Sequence, residues 1–228
     1  MEELKTVSQR IFNPEILPIL SVGGEQALQA ERLSASWLRQ RFEKQPQWTP
    51  EATDEHFLVK SAPFRLASVL IPIVSREQGL TLMLTHRSAN LTDHAGQISF
   101  PGGRHEASDA DSVETALREA EEEVGLQRNH VSVLGTMPEY RTGTGYQVTP
   151  VVSLVQPPFE LNADPTEVAS IFEVPLSFLM DGRNHQRRVF TLPDGSGTRT
   201  FYAMPYQQHF IWGATAGMLR NLFHMLRA

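Results

Sequence analysis

The chain has 228 residues, 40% of them hydrophobic, enough to bury a full core in one domain with an extension to spare. Its formal net charge of −6 argues against a nucleic-acid polymer as the main partner, but leaves room for a small phosphorylated substrate whose charge a metal ion offsets. The absence of Cys excludes disulfides, thiolate metal sites and a cysteine nucleophile, and is compatible with a reducing cytoplasm.

The first ten residues, MEELKTVSQR, are charged and carry no apolar run, so a signal peptide is not expected and a cytoplasmic location is. Residues 25–42 read as an amphipathic helix with Leu28, Leu33, Trp37, Leu38 and Phe42 on its apolar side, packing on the domain or on a second copy in a homodimer. Pro46, Pro50 and Pro63 mark a linker, which divides the chain into an extension, residues 1–62, and a domain, residues 63–228. Residues 66–74 and 80–85 are aliphatic runs around Arg76-Glu77-Gln78-Gly79, the pattern of a β-hairpin. A short strand at 97–100 leads into Gly102-Gly103, a helix follows from Asp111 to Gly125, and strands are expected at 131–137 and 147–155 around a Gly/Thr loop at 141–145. Residues 187–192 and 199–203 flank Pro193-Asp194-Gly195-Ser196-Gly197 as a second hairpin. The last helix is predicted at 213–227, with Met218, Leu219, Leu222, Phe223 and Leu226 at core spacing; the apolar stretch 210–226 contains Arg220 and His224 and is too short to span a bilayer. No internal repeat is present. Strands, a glutamate-rich helix, more strands and a terminal helix imply an α+β domain with a mixed sheet sandwiched between helices.

The helix between the glycines carries the chemistry. Glu119, Glu122 and Glu123 stand three and four positions apart and share one face, where like charges repel by roughly a few tenths of a kcal/mol per pair. A divalent cation turns that repulsion into attraction, and hard oxygen donors in a chain without Cys favour Mg²⁺ or Mn²⁺ over Zn²⁺. The bland reading of the same residues is a solvated acidic face with Arg118 bridging to Glu114 and Glu122. Asp111 followed by Glu114 resembles a capping box, and Gly125 is a natural helix stop.

The segment from Gly103 resembles the Nudix box, G-x5-E-x7-R-E-U-x-E-E-x-G-U with U aliphatic. Arg118, Glu119, Ala120, Glu122, Glu123, Gly125 and Leu126 match its second half. The first half departs: Asp109 stands where the first glutamate belongs, and eight residues separate it from Arg118. In the family that glutamate mainly anchors the loop through the box arginine. Upstream, Leu84-Thr85, Arg87-Ser88, Gly96 and Phe100-Pro101-Gly102-Gly103 resemble the coenzyme A pyrophosphatase signature L-L-T-x-R-[SA]-x3-R-x3-G-x3-F-P-G-G, with Thr92 in place of its second arginine. Further similarity runs through 144–152, 164–176 and 211–216, so that it covers roughly Leu66 to the C-terminus.

The resemblance implies the α/β/α Nudix fold and metal-dependent cleavage of coenzyme A, its oxidised form or short acyl forms at the diphosphate, giving 3′,5′-ADP and 4′-phosphopantetheine. It implies Glu119 and Glu123 as leading metal ligands, Glu122 as a third, and the carbonyl of Gly102 as completing the shell. The general base is either a box glutamate or Glu167, which lies where a later glutamate acts in this superfamily. Arg87, Arg104 and Arg141 are candidate phosphate contacts because guanidinium presents a planar fork to phosphate oxygens. Arg183, Arg187 or Arg188 could compensate for Thr92. His94 reads as a hydrogen-bonded structural residue, and Tyr140 and Tyr146 either stack an adenine or pack the loop. Two other functions stay open: a Nudix hydrolase of another nucleoside diphosphate derivative, such as ADP-ribose or NADH, and a non-catalytic Nudix-fold sensor, which the retained box glutamates disfavour.

Overall fold

The computed structural model describes residues 13–51, 63–91, 94–192, 195 and 197–228. Among them are four helices, α1 Ala35–Glu43, α2 Ser112–Val124, α3 Leu176–Leu179 and α4 Gly213–Arg227, and twelve strands. The strands are β1 Ile19–Val22, β2 Arg65–Arg76, β3 Gly79–Arg87, β4 Ile98–Ser99, β5 Gly102–Arg104, β6 Val131–Thr136, β7 Tyr140–Arg141, β8 Tyr146–Val155, β9 Val168–Pro175, β10 Gln186–Thr191, β11 Thr198–Tyr206 and β12 His209–Trp212. They form an eight-stranded mixed sheet with the central order β4-β3-β2-β8-β6, to which β5, β7 and β9 add, and a four-stranded antiparallel sheet ordered β1-β10-β11-β12. The expected hairpins are present: Arg76 pairs with Gly79 across the first turn, and β10 pairs with β11 from Gln186↔Ala203 to Thr191↔Thr198.

The large sheet is organised by β2 and β8, parallel neighbours in register from Arg65↔Tyr146 to Val74↔Val155. Both faces of this pair are covered, so the alternation of side chains sorts them between two cores. Leu70 and Val74 of β2, Met83 of β3, and Val151 and Val155 of β8 meet Ala116, Ala120 and Val124 of α2 on one face. Ile71, Ile73, Leu82, Leu84, Val152 and Leu154 point the other way, into a core shared with Leu219, Leu222 and Phe223 of α4 and Leu38 and Phe42 of α1. The result is the expected helix, sheet, helix layering, with the four-stranded sheet as an addition that the local pattern did not announce.

The helix expected over residues 25–42 is shorter in the structure. Only Ala35–Glu43 is α-helical, preceded by a 3-10 turn at Ala30–Leu33. Leu28 N–H is committed to the Met180 carbonyl at 2.9 Å and Glu25 to an ion pair with Arg220, which holds residues 25–29 against the body instead of in a helical ladder. Ser34 then caps the helix proper, its hydroxyl accepting from Trp37 N–H. Most of the linker expected between Pro50 and Pro63 lies outside the described residues. Among the described residues no helix is long and apolar enough to cross a membrane.

α4 is buried nearly all round, and one of its buried residues is an arginine. Arg220 donates to both carboxylate oxygens of Glu25, at 2.9 and 2.5 Å, and to Glu51 at 3.1 Å. His224 meets the same Glu51 carboxylate at 3.0 Å, and the Tyr202 hydroxyl donates to it. Led by the His224 hydrogen bond, these partners hold the Glu51 carboxyl down at about 2. Beside them His185 is fully buried; its Nε2 donates to the Leu179 carbonyl at 2.7 Å, so Nδ1 bears the lone pair that accepts from Arg220 at 3.1 Å, and the ring is neutral. Burial pushes His185 down to about 4 from its ordinary 6.5.

Between those two values the unfolded chain binds a proton at His185 that the folded chain does not, so stability rises with pH through this window and is lost as pH falls. His185→Gln keeps one donor for Leu179 and one acceptor for Arg220 but does not titrate. In urea unfolding, the wild type should lose about 2 kcal/mol more than this variant between pH 7 and pH 5.

Candidate active site

α2 forms where it does because its ends are specified. The Asp111 carboxylate accepts from the N–H groups of Val113 and Glu114, each at 2.9 Å, and Gly125 closes the helix at φ 70°. The reciprocal arm of the expected capping box is absent: Glu114 turns to Arg128 at 2.6 Å, and Arg128 also takes Glu121 at 3.1 Å. The buried positions Ala116 and Ala120 are small, which lets the helix axis come close to the sheet and to β5. At that approach the first two residues of β5 have no space for a side chain unless a neighbour moves. A Cβ on Gly102 would sit 2.6 Å from Val69 Cα, and one on Gly103 would run into the Glu119 carboxylate. Gly102 N–H instead donates to Glu123 Oε2 at 3.1 Å.

Arg118 gathers the loop and the helix together. It forms a bidentate pair with Asp109 at 2.9 and 3.1 Å, reaches Glu122 at 2.9 Å and Glu119 at 3.0 Å, and donates to the Arg104 carbonyl at 3.1 Å. Asp109 is buried and also accepts from Thr115 Oγ1 and Glu106 N–H, each at 2.9 Å; its pairing with Arg118 holds its carboxyl well below the usual carboxylate range. The shorter side chain thus makes the anchoring contact that the resemblance assigns to a glutamate, and the extra residue before Arg118 is absorbed in the loop.

Glu119, Glu123, Glu167, Arg87, Arg104 and Gly102 line one cavity of about 810 Å³ between the two sheets. Glu123 is 3% exposed, and its other oxygen is 3.6 Å from Arg87 Nη1. Burial pushes its carboxyl up to about 8, against the pull of Gly102 N–H and Arg87, with the charges of Glu167 and Glu119 adding to the rise. Burial also raises Glu119, against the opposing charge of Arg118. Glu167 ends a turn capped by Asp164 and immediately precedes β9, and its carbonyl accepts from Ser88 N–H at 2.7 Å.

Two residues expected at the site stand outside the cavity. The Glu122 side chain is 60% exposed and tied to Arg118, and the Arg141 guanidinium lies 5.3 Å from the Phe64 ring. Arg104 lines the cavity but spends two N–H groups on the Tyr146 hydroxyl, at 3.0 and 2.7 Å. Tyr146 also lines it, whereas Tyr140 is buried against Gly217 in the core. His94 lines it too, hydrogen-bonded to Gln97 at 2.9 Å. Thr92 lies outside the described residues. Of its proposed substitutes, Arg183 is held by Asp181, Arg187 by Thr200, and Arg188 by Gln186 and the carbonyls of Glu15 and Leu17. A third arginine that lines the cavity, besides Arg87 and Arg104, is Arg199 of β11, with Phe190, Phe201 and Trp212. The sequence held one local signal for these, the alternation of Arg199 and Phe201 on a predicted strand, but no signal for the face.

Among the described residues no three His, Asp or Glu side chains converge as a ready metal cage. Mg²⁺ is commonly held by one or two carboxylates together with substrate phosphates and water, and the Glu119 and Glu123 pair fits that mode. Two buried carboxyls whose ionised forms are penalised are also groups that a divalent cation would keep charged.

A glutamate-bearing helix is thus docked on a mixed sheet beside a glycine turn, with an arginine closing the loop. The NUDIX domain model matches residues 64–192, more than half of the chain. A Citrobacter koseri protein described as an uncharacterized Nudix hydrolase, NudL, is 45% identical over 159 residues, covering 69% of this chain and 81% of its own length. Its Escherichia coli counterpart is 44% identical over the same span. Among solved structures, a C. elegans Ap4A hydrolase binary complex is similar at TM-score 0.43 and 13% identity, covering 48% of this chain and 80% of that one. The chain belongs to the Nudix hydrolase family, a class of pyrophosphohydrolase enzymes.

The tight fit at β5 is testable. Gly103→Ala should leave the fold intact by circular dichroism while displacing the Glu119 carboxylate, and steady-state hydrolysis of a diphosphate substrate should fall on the order of a hundredfold.

Proposed function

We propose that this Nudix hydrolase cleaves the diphosphate bond of coenzyme A or its derivatives, releasing 3′,5′-ADP and 4′-phosphopantetheine or its acyl form, with Mg²⁺ or Mn²⁺ held by Glu119 and Glu123. The observation that carries this reading is the meeting of two matched segments: Arg87, from the stretch that resembles coenzyme A pyrophosphatases, faces Glu123 of the Nudix box at 3.6 Å in a cavity of about 810 Å³. A volume of that order accommodates a nucleotide with part of a second arm.

A diphosphate resists water because its anionic oxygens repel a nucleophile and its leaving group is poor; a bound divalent cation would offset that charge and stabilise the departing phosphate. The residues around it divide the remaining work. Glu119 and Glu123 provide the anionic seat, with the Gly102 carbonyl as the proposed main-chain donor, and Gly102 N–H sets the Glu123 rotamer. Arg87 offers its guanidinium fork to phosphate oxygens. Glu167 reaches the same cavity from the start of β9 and is the proposed base, accepting the proton of the attacking water. Arg118 is a positioning residue that keeps Glu119 and the 104–109 loop in place. Glu122 would serve as a third ligand only by exchanging Arg118 for the metal. Arg104 supplies a further cation at the cavity wall.

The test is to offer the purified protein coenzyme A, ADP-ribose and NADH in parallel, with Mg²⁺ or Mn²⁺, and to identify products by mass. Coenzyme A should be cleaved fastest, to 3′,5′-ADP and phosphopantetheine, and Glu123→Gln should lower the rate by at least about a hundredfold. Preference for ADP-ribose or NADH would move the assignment to another nucleoside diphosphate derivative. Metal binding without turnover of any of them would revive the sensor reading or point to a substrate outside these three.

A further inference from the structure

The match to the NUDIX domain ends at residue 192, but the cavity does not end there. Arg199 and Phe201 of β11 and Trp212 of β12 line it from the four-stranded sheet, opposite in origin to the carboxylates, which enter from α2 and the start of β9. Arg199 and Phe201 are two apart on a strand and therefore share its face. Phe190 is directly opposite Arg199 on β10, and the Trp212 ring meets the Phe201 ring edge-on at 5.5 Å and 67°. One guanidinium and three aromatic rings thus share a wall of the cavity, built by residues beyond the family-wide match or at its last positions.

A wall of this composition is suited to a nucleotide, with the rings taking a base and the guanidinium a phosphate. The phosphates being cleaved belong at the carboxylate end, where a metal ion offsets their charge. A phosphate that the nucleoside carries elsewhere needs its own cation. We propose that Arg199 binds a non-scissile phosphate on the nucleoside half of the substrate, with Phe201 and Trp212 against the base, and so selects a 3′-phosphorylated adenosine diphosphate ester over the same ester lacking that phosphate. This rests on the reading of the cavity as a coenzyme A site and adds to it the residue that tells coenzyme A from its dephosphorylated form.

The contact can be read without turnover. Titration calorimetry of the full chain in Mg²⁺ buffer compares 3′,5′-ADP with 5′-AMP, which differ by the one phosphate. Wild type should bind 3′,5′-ADP at least about tenfold more tightly, as one charge-assisted contact implies, and the ratio should fall to within about twofold in Arg199→Gln. Arg199→Met, which keeps the packing stem, reads the same ratio if the glutamine variant fails to fold. Equal affinity for both nucleotides in the wild type, or a ratio that survives in the variants, overturns the proposal. Cleavage of coenzyme A by the same preparation tests the parent reading separately. Discrimination without cleavage retires the substrate and keeps the Arg199 contact; cleavage without discrimination does the reverse.

Discussion

The close docking of α2 on the large sheet is the constraint on which the site depends. Ala116 and Ala120 at the contact bring the helix against Leu70, Val74 and Val151 with little side chain between. That proximity buries Glu123, brings the Glu119 carboxylate so close to Gly103 that a side chain there would displace it, and aligns Gly102 N–H with the Glu123 carboxylate. A larger residue at either alanine would lift the helix and loosen all of these together, since packed interiors do not deform by fractions of a side chain without cost.

Docking a helix this acidic creates an electrostatic problem that the surroundings resolve one carboxylate at a time. Glu114 and Glu121 share Arg128, Glu119 and Glu122 share Arg118 with Asp109, and Glu123 has Arg87 at longer range. The compensation is least complete at Glu119 and Glu123, where burial still outweighs the neighbouring cations and raises both carboxyls. The two carboxyls that burial makes hardest to ionise therefore stand together on the cavity, which is the pattern expected where a divalent cation would be needed to keep them charged.

A second layer of structure surrounds this centre. Glu25 and Glu51 reach across to Arg220 on α4, and Arg41 of α1 donates to the Met225 carbonyl at 3.1 and 2.8 Å, so residues on the N-terminal side of the match are fastened to the last helix. The four-stranded sheet packs on the same helix and closes the cavity from the far side. Segments before and after the matched span thus meet around α4 and supply the part of the cavity that the box does not.

What the sequence determined by itself is local. The capped glutamate helix, its glycine stop, both hairpins and the terminal helix were legible because turn residues and apolar spacing report on neighbours a few positions away. The carboxylates at 119 and 123 were legible for the same reason: helical spacing places them together whatever the helix packs on. Tertiary structure decided the rest. β1 and β9 are stabilised by pairing with distant β10 and β3, and nothing in their own few residues encodes that register. Residues 25–29 have helical spacing but spend their polar groups on Met180 and Arg220. Glu122 is tied to Arg118 and Arg141 lies near the Phe64 ring, whereas Arg199 lines the cavity because one face of β11 closes over it. Side-chain type can be read along the chain, but which of two faces is turned inward is set only when the sheets and helices come together.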